Sequence, residues 1–181
     1  MNDLDTLKEI TGYCESAVCS IDPRCREKLL DAILDSRKVF IYGSGRSGLI
    51  GQLFAVRLVQ LGLDVHFVGE MTTPIIGRED LTLLISNTGR TSSVVQTATI
   101  ARRIGSKVIS ITGTKDSDLT RNSDMSIIMD IPRSAETSAA APLGTVFEDS
   151  ALLFFEVMVS DIMKRTGNTE EDMRNRHAIW V

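Results

Sequence analysis

The side chains best suited to chemistry lie in a hydroxyl-rich segment, residues 86–93, which reads Ser-Asn-Thr-Gly-Arg-Thr-Ser-Ser. A short apolar run precedes this segment and a helical pattern follows it, so it joins a strand to a helix start. Unpaired N–H groups and the helix dipole favour an anion there, and hydroxyls add donors without adding charge. The segment therefore predicts a phosphate-ester site. Simple capping of the helix is the alternative explanation of the same hydroxyls.

A second loop of this kind, residues 43–48, reads Gly-Ser-Gly-Arg-Ser-Gly and follows the apolar run 38–42. Its glycine spacing matches a dinucleotide fingerprint, which also needs an acidic residue about 20 positions later at the end of the next strand. Asp64 precedes the next apolar run, and Glu70 fits the spacing poorly. The loop is therefore better suited to a small phosphate, held by Ser47 and the loop amides.

Two acidic residues, Glu148 and Asp149, lie in the first turn of the longest apolar helical segment, residues 147–163. A loop rich in Ser, Ala and Pro, residues 132–144, precedes it. A carboxylate that faces a ligand can act as a general base and then as a general acid. Compensation of the helix dipole is the alternative for Glu148 and the favoured explanation for Asp149. A lone histidine, His177, lies in a charged tail, where it could simply dock on a surface.

Alternating strands and helices must position these groups. Strands are predicted at residues 38–42, 65–68, 81–85, 107–112 and 126–131, and helices at residues 3–19, 23–36, 47–61, 94–104, 118–121, 147–163 and 169–181. This order predicts a parallel five-stranded sheet with helices on both faces, an α/β/α sandwich. Ligands of such sheets bind beyond the carboxyl ends of the strands, where both loops lie. We expect one domain over residues 1–181, with 1–36 and 169–181 as extensions for assembly.

Composition narrows the classes of partner. The chain has 181 residues, a net charge of −4 and no long basic run, which argues against nucleic acid or an anionic membrane. The N-terminus lacks a signal-like apolar segment, and no apolar run is long enough to span a bilayer. The three cysteines match no zinc-binding spacing, so we expect reduced thiols, no metal and a cytoplasmic protein. Helices 47–61 and 147–163 are apolar all round, which predicts contact with another subunit.

Several segments together resemble the sugar isomerase (SIS) domain, and within it the 6-phospho-3-hexuloisomerase group. The resemblance runs nearly end to end and is carried by residues 41–48, 67–74, 84–91, 142–148 and 176–177. The general SIS loop reads Ser-x-Ser-Gly-x-Thr, and Thr88 stands at its second serine with the hydroxyl kept. Arg46 and Arg90 are typical of the hexuloisomerase group.

The resemblance implies a flavodoxin-like, doubly wound fold and a cofactor-free, metal-free isomerase of D-arabino-hex-3-ulose 6-phosphate and D-fructose 6-phosphate. This reaction belongs to formaldehyde fixation by the ribulose monophosphate pathway, or to its reverse. Glu148 would carry the proton between C2 and C3 through an enediolate. His177, from a neighbouring subunit of a homotetramer, would handle a hydroxyl proton. The implied substrate-binding residues are Gly45, Arg46, Ser47, Ser86, Asn87, Thr88, Gly89, Arg90 and Thr91.

Two other functions remain open from the sequence. A SIS module that only senses sugar phosphates would keep both loops but need no acid at position 148. Another aldose–ketose phosphate isomerase of the SIS family would keep the acid and differ in the length of its sugar. Turnover of sugar phosphates of different lengths separates these alternatives.

Overall fold

A computed structural model describes residues 3–178, without the side chains of residues 3 and 136. Its centre is a five-stranded sheet in the order β2-β1-β3-β4-β5, and every neighbouring pair is parallel. The strands are β1 (Val39–Gly43), β2 (Val65–Phe67), β3 (Leu81–Ile85), β4 (Lys107–Thr112) and β5 (Met125–Ile128). This strand order is that of flavodoxin-like doubly wound sheets, so the predicted fold class is confirmed.

Helices cover both faces of the sheet. They are α1 (Asp3–Cys19), α2 (Pro23–Asp35), α3 (Arg46–Gln60), α4 (Ser92–Ile104), α5 (Asp118–Arg121), α6 (Ala135–Ala140), α7 (Thr145–Thr166) and α8 (Glu170–Asn175). Successive residues of a strand face opposite sides, so β3 serves two cores. Leu83 lies in the larger core with α2, α3 and α7. Leu84 lies in the smaller core with α4 and α5.

Three predicted segments differ from the structure. The predicted loop 132–144 is wrong, because it contains α6 and a 3₁₀ turn at Pro142–Gly144. Ser134 caps α6 by accepting a hydrogen bond from the N–H of Thr137, and the alanines that follow favour a helix. The last strand ends at Ile128 instead of residue 131, and the tail helix ends at Asn175. Residues 179–181 of the predicted tail helix lie outside the described residues.

The two helices that are apolar all round differ in what covers them. The second side of α7 packs against α1 of the same chain, and Leu153 is its one large exposed apolar side chain among the described residues. On α3 an apolar side stays exposed, formed by Leu49, Leu53, Val56 and Val59. The α3 surface is therefore the stronger candidate for contact with another subunit. Within residues 3–178, no helix has the length and hydropathy needed to cross a membrane.

Candidate active site

The two predicted phosphate loops lie side by side, as expected. Strands β1 and β3 are neighbours in the sheet, and Gly43 pairs in register with Ile85. The chain leaves β1 for α3 and leaves β3 for α4, so both helices begin at the same edge of the sheet. Their unpaired first-turn N–H groups and positive dipole ends converge there.

The loop after β3 is organised by its own hydroxyls. The Oγ of Ser86 lies 3.2 Å from the Oγ1 of Thr91 and accepts a hydrogen bond from the N–H of Gly89. Gly89 has φ of +62°, and a side chain there would collide with Ser117. Thr88 Oγ1 accepts from the N–H of Arg90, whose side chain is exposed.

Capping alone does not account for this loop. Thr91 is the N-cap residue of α4, yet its side chain makes no capping hydrogen bond. The N-cap residue of α3 is Gly45, which has no side chain to offer. Both helices therefore begin with first-turn N–H groups that no side chain caps, which suits an anionic ligand.

Glu148 is hydrogen-bonded to the loop of residues 43–48. Ser47 donates a hydrogen bond of 3.0 Å to its Oε1, and Arg46 donates one of 2.7 Å to its Oε2. Arg46 also donates to the main-chain oxygen of Leu143. The Glu148 side chain is 13 % exposed and that of Arg46 is 51 % exposed. The acid therefore faces the ligand loops, a position that compensation of the helix dipole does not require.

Burial raises the pKa of Glu148 above its usual value, because an ionised carboxylate loses water there. The hydrogen bond from Ser47 and the charge of Arg46 lower this pKa and partly offset the effect of burial. A carboxyl group whose pKa is raised toward neutrality is better matched to moving a proton to and from carbon.

The segment before Glu148 has an unusual backbone. Leu143 has φ of 55°, the one positive φ of a non-glycine residue in the part of the chain described, and its side chain is exposed. Such a conformation costs energy in a leucine and often occurs at functional sites. It turns the Leu143 carbonyl toward Arg46, so the strained residue helps to hold the guanidinium beside Glu148.

The loop that contains Asn87 is supported by residues that follow β4 and β5, and these residues were not predicted from the sequence. The main-chain oxygen of Asn87 accepts hydrogen bonds from Gly113 N–H (3.0 Å), Thr112 Oγ1 (3.1 Å) and Thr114 Oγ1 (3.2 Å). Arg133 donates in turn to Thr114 Oγ1 and to the Gly113 oxygen. The hydroxyls of Thr112 and Thr114 at a strand's carboxyl end were the available signal.

His177 does not lie with the other candidate residues in this chain. Its neighbour Arg176 donates to the main-chain oxygen of Gln60, at the far end of α3 from Ser47. The imidazole borders an open groove of about 800 Å³ that runs beside α3 and β2. Because a helix rises 1.5 Å per residue, Ser47 and Gln60 are separated by about 20 Å. The predicted role of His177 therefore has no support within one subunit.

Within residues 3–178, no three His, Cys, Asp or Glu side chains lie close enough together to form a metal site. The acid considered for a dinucleotide ribose, Asp64, instead lies beside Lys38 and His66, before β2 begins.

Comparisons with known proteins agree on one family. Residues 32–153 match the model of the SIS domain. The 3-hexulose-6-phosphate isomerase of Methanocaldococcus jannaschii is 39% identical over 83% of this chain and 81% of its own length. The enzyme of the same name from Bacillus subtilis is 30% identical over 98% of both chains. A crystal structure from Methanococcus jannaschii, with an inferred function of 3-hexulose-6-phosphate isomerase, matches with a TM-score of 0.87 at 34% identity and covers 100% of both chains.

Proposed function

The chain belongs to the SIS-domain family, and from this premise we propose that it is a 3-hexulose-6-phosphate isomerase. It interconverts D-arabino-hex-3-ulose 6-phosphate and D-fructose 6-phosphate. The observation that carries the proposal is the largely buried carboxylate of Glu148, hydrogen-bonded to Ser47 and Arg46 beside the starts of α3 and α4. The names of the relatives supply the length of the sugar.

The phosphate binds where α3 and α4 begin. The first-turn N–H groups of both helices and the hydroxyls of Ser86, Thr88 and Thr91 surround this position. Anchoring one end of the sugar converts a bimolecular encounter into an oriented one, which lowers the entropic part of the barrier.

The reacting end of the sugar lies at Glu148. With its carbonyl at C3 and its phosphate at O6, the 3-ulose cannot close a five- or six-membered ring, so it is open-chain. Glu148 takes the proton from C2, the C–H electron pair forms the C2–C3 double bond, and the carbonyl pair moves onto O3. The acid then returns its proton to C3, while the hydroxyl proton moves from O2 to O3. Arg46 places positive charge where negative charge develops.

Turnover of a set of ketose phosphates tests the substrate. Purified protein is assayed with hexulose 6-phosphate, pentulose 5-phosphate and heptulose 7-phosphate, each followed by product analysis. We expect the hexulose to be preferred, and a Glu148→Gln protein serves as the matched control for contaminating isomerases. Preference for the five- or seven-carbon sugar, or no turnover of any, would contradict the proposal.

We extend the proposal to a homotetramer that uses the exposed side of α3. Leu49 and Val56 are 65% and 52% exposed, which is costly for a free surface in water. Sedimentation equilibrium at micromolar concentration should give about four times the monomer mass of 19.9 kDa. A species at the monomer mass would contradict this assembly. A place in formaldehyde fixation and in the cytoplasm remains a prediction, in keeping with three free thiols, Cys14, Cys19 and Cys25.

A further inference from the structure

We propose that the side-chain amide of Asn87 acts at the reacting end of the sugar, where it donates a hydrogen bond to the oxygen that becomes negatively charged. The inference rests on the proposed function and deepens it. Asn87 thereby has a different role from its neighbours in the loop, whose backbone amides and hydroxyls bind the phosphate. The ligand is a ketose in which the carbonyl carbon is bonded to the carbon that loses a proton.

The backbone of Asn87 is fixed independently of any ligand. Its carbonyl oxygen accepts three hydrogen bonds from the end of β4 and the residues that follow, at 3.0, 3.1 and 3.2 Å. With the main chain held in this way, only the side-chain torsions decide where the amide lies. The position is therefore pre-organised, which is what a group that stabilises a transition state requires.

The amide fills a slot between two glycines. A Cβ placed on Gly113 would lie 2.6 Å from the Oδ1 of Asn87, and one placed on Gly144 would lie 3.0 Å from its Nδ2. That same position on Gly144 is 3.5 Å from Glu148 Oε2 and 3.6 Å from Arg46 Nη2. The donor end of the amide, the base and the guanidinium thus surround one point.

The orientation of the amide follows from the charge beside it. Its Oδ1 is buried against Gly113 and has no hydrogen-bond partner among the residues that the structure describes, which is unfavourable for a buried acceptor. Turning the amide over would bring Oδ1, an acceptor, toward the carboxylate of Glu148, where two oxygen acceptors repel. Nδ2 therefore lies on the side of Gly144 and Glu148, and we infer that a ligand oxygen accepts a hydrogen bond from it.

This placement suits the proposed reaction. When the C–H pair moves into the C2–C3 double bond, the carbonyl pair becomes an oxyanion on the neighbouring carbon. Asn87 Nδ2 donates a hydrogen bond to that oxygen without transferring a proton. The hydrogen bond from the amide to this oxygen becomes stronger as negative charge develops on the oxygen. Because the amide is neutral, it adds no positive charge that would lower the pKa of Glu148.

Asn87→Ala tests the role by separating kcat from binding. The loop amides and the hydroxyls of Ser86 and Thr91 remain, so KM and the inhibition constant of inorganic phosphate should stay within about threefold of the parent. We expect kcat to fall by about 10²-fold or more, as for other lost oxyanion donors. Unchanged kcat would overturn the proposal. A rise in KM and in the phosphate inhibition constant at unchanged kcat would overturn it too, because Asn87 would then serve the phosphate.

Asn87→Asp keeps the shape of the side chain and guards against a folding defect in the alanine variant. It replaces the donor by a carboxylate oxygen beside Glu148. The rate should fall where the new carboxyl group is ionised, and the acid side of the pH profile of kcat/KM should move to higher pH because the added negative charge raises the pKa of Glu148. A parent-like rate at neutral pH and above, where the new carboxyl group is ionised and cannot donate, would show that no donor is needed at this position.

A double-mutant cycle with Gly113→Ala tests the position of the amide. The new methyl group would lie 2.6 Å from Oδ1 and should displace the side chain, lowering kcat. In the Asn87→Ala background the same change should cost little, because the displaced group is absent. Gly12→Ala, on α1 with no atom within 4 Å of the added Cβ, is the matched control and should leave kcat unchanged. Additive effects of the two substitutions would refute the mechanism.

These measurements distinguish the inference from the proposed function. A parent protein that turns over no ketose phosphate refutes both. A parent that is active while Asn87→Ala keeps its kcat refutes the role of Asn87 alone.

Discussion

Replacing Glu148 by Gln keeps the volume of the side chain and removes its ability to accept a proton. The hydrogen bond from Ser47 to Oε1 can persist, because the amide oxygen is also an acceptor. The ion pair with Arg46 is lost, but Arg46 is 51% exposed, and pairs with an exposed partner contribute about 0–1 kcal/mol. The substitution therefore tests chemistry with little structural cost.

The expected change in stability has a definite sign. Burial raises the pKa of Glu148 in the folded state, so the folded chain holds this proton more tightly than the unfolded chain. Stability from this group is present below the unfolded-state pKa and is lost as pH rises through the folded-state pKa. At neutral pH the ionised acid is a cost, and Gln removes it while losing the ion pair. We expect the melting temperature to stay within about 2–4 °C of the parent, as for a change of about 1 kcal/mol.

The expected change in rate is much larger. Loss of a general base lowers kcat by at least about 10²-fold, while KM stays near the parent value because the phosphate contacts remain. Exchange of the C3-bound hydrogen of fructose 6-phosphate with solvent deuterium, followed by NMR, should be lost as well. The control is Asp149→Asn, a neighbouring acid turned about 100° around α7. Turnover and exchange close to the parent rate in Glu148→Gln would show that the base lies elsewhere.

Three further predictions follow from the same contacts. Ser47→Ala removes a hydrogen bond that lowers the pKa of Glu148, so the acid side of the pH profile of kcat/KM should move to higher pH. An unchanged pH profile would contradict the hydrogen bond between Ser47 and Glu148. Thr91→Ala should raise KM and the phosphate inhibition constant about ten- to hundredfold, since hydrogen bonds to charged groups contribute about 1.5–3 kcal/mol. Unchanged constants would mean that Thr91 does not bind the phosphate and only begins the helix. Deleting residues 176–181 should lower kcat and leave the melting temperature unchanged, and mixing that protein with Glu148→Gln should restore activity after subunit exchange; no recovery would mean that His177 does not act across subunits.

Most of the fold could be predicted because each element carries a local signal. The bounds of β3 and β4 were predicted correctly, since both are short apolar runs that end at turn or hydroxyl residues. Helix α6 was missed because it has only six residues and no large apolar side chain to show a helical period, and a cap such as Ser134 is recognised only once its partner N–H is known. The exposed and covered sides of α3 and α7 look alike in sequence, because what covers α7 is α1, more than a hundred residues away.

The site was predictable only where its residues are neighbours in sequence. Two glycine- and hydroxyl-containing loops and an acid at a helix start are visible in the chain itself. The pairing of Arg46 with Glu148 joins residues 102 positions apart, so no spacing rule indicates it. The donors to the Asn87 carbonyl likewise come from another strand, and the importance of that side chain becomes visible only in three dimensions.

The geometry of α3 links assembly to the predicted role of His177. In one subunit, the tail is attached at Gln60, where Arg176 donates to the main-chain oxygen, and Gln60 lies about 20 Å along α3 from Ser47. A role for His177 in proton transfer therefore needs the tail of a second copy. Leu49 and Leu53 are exposed within two turns of Ser47, so a copy that covers them comes close to the active site. Isolated subunits, obtained with Leu53→Asp, should then lose kcat together with their assembly. Monomers that keep the parent kcat would show that catalysis does not need the tail of a second subunit.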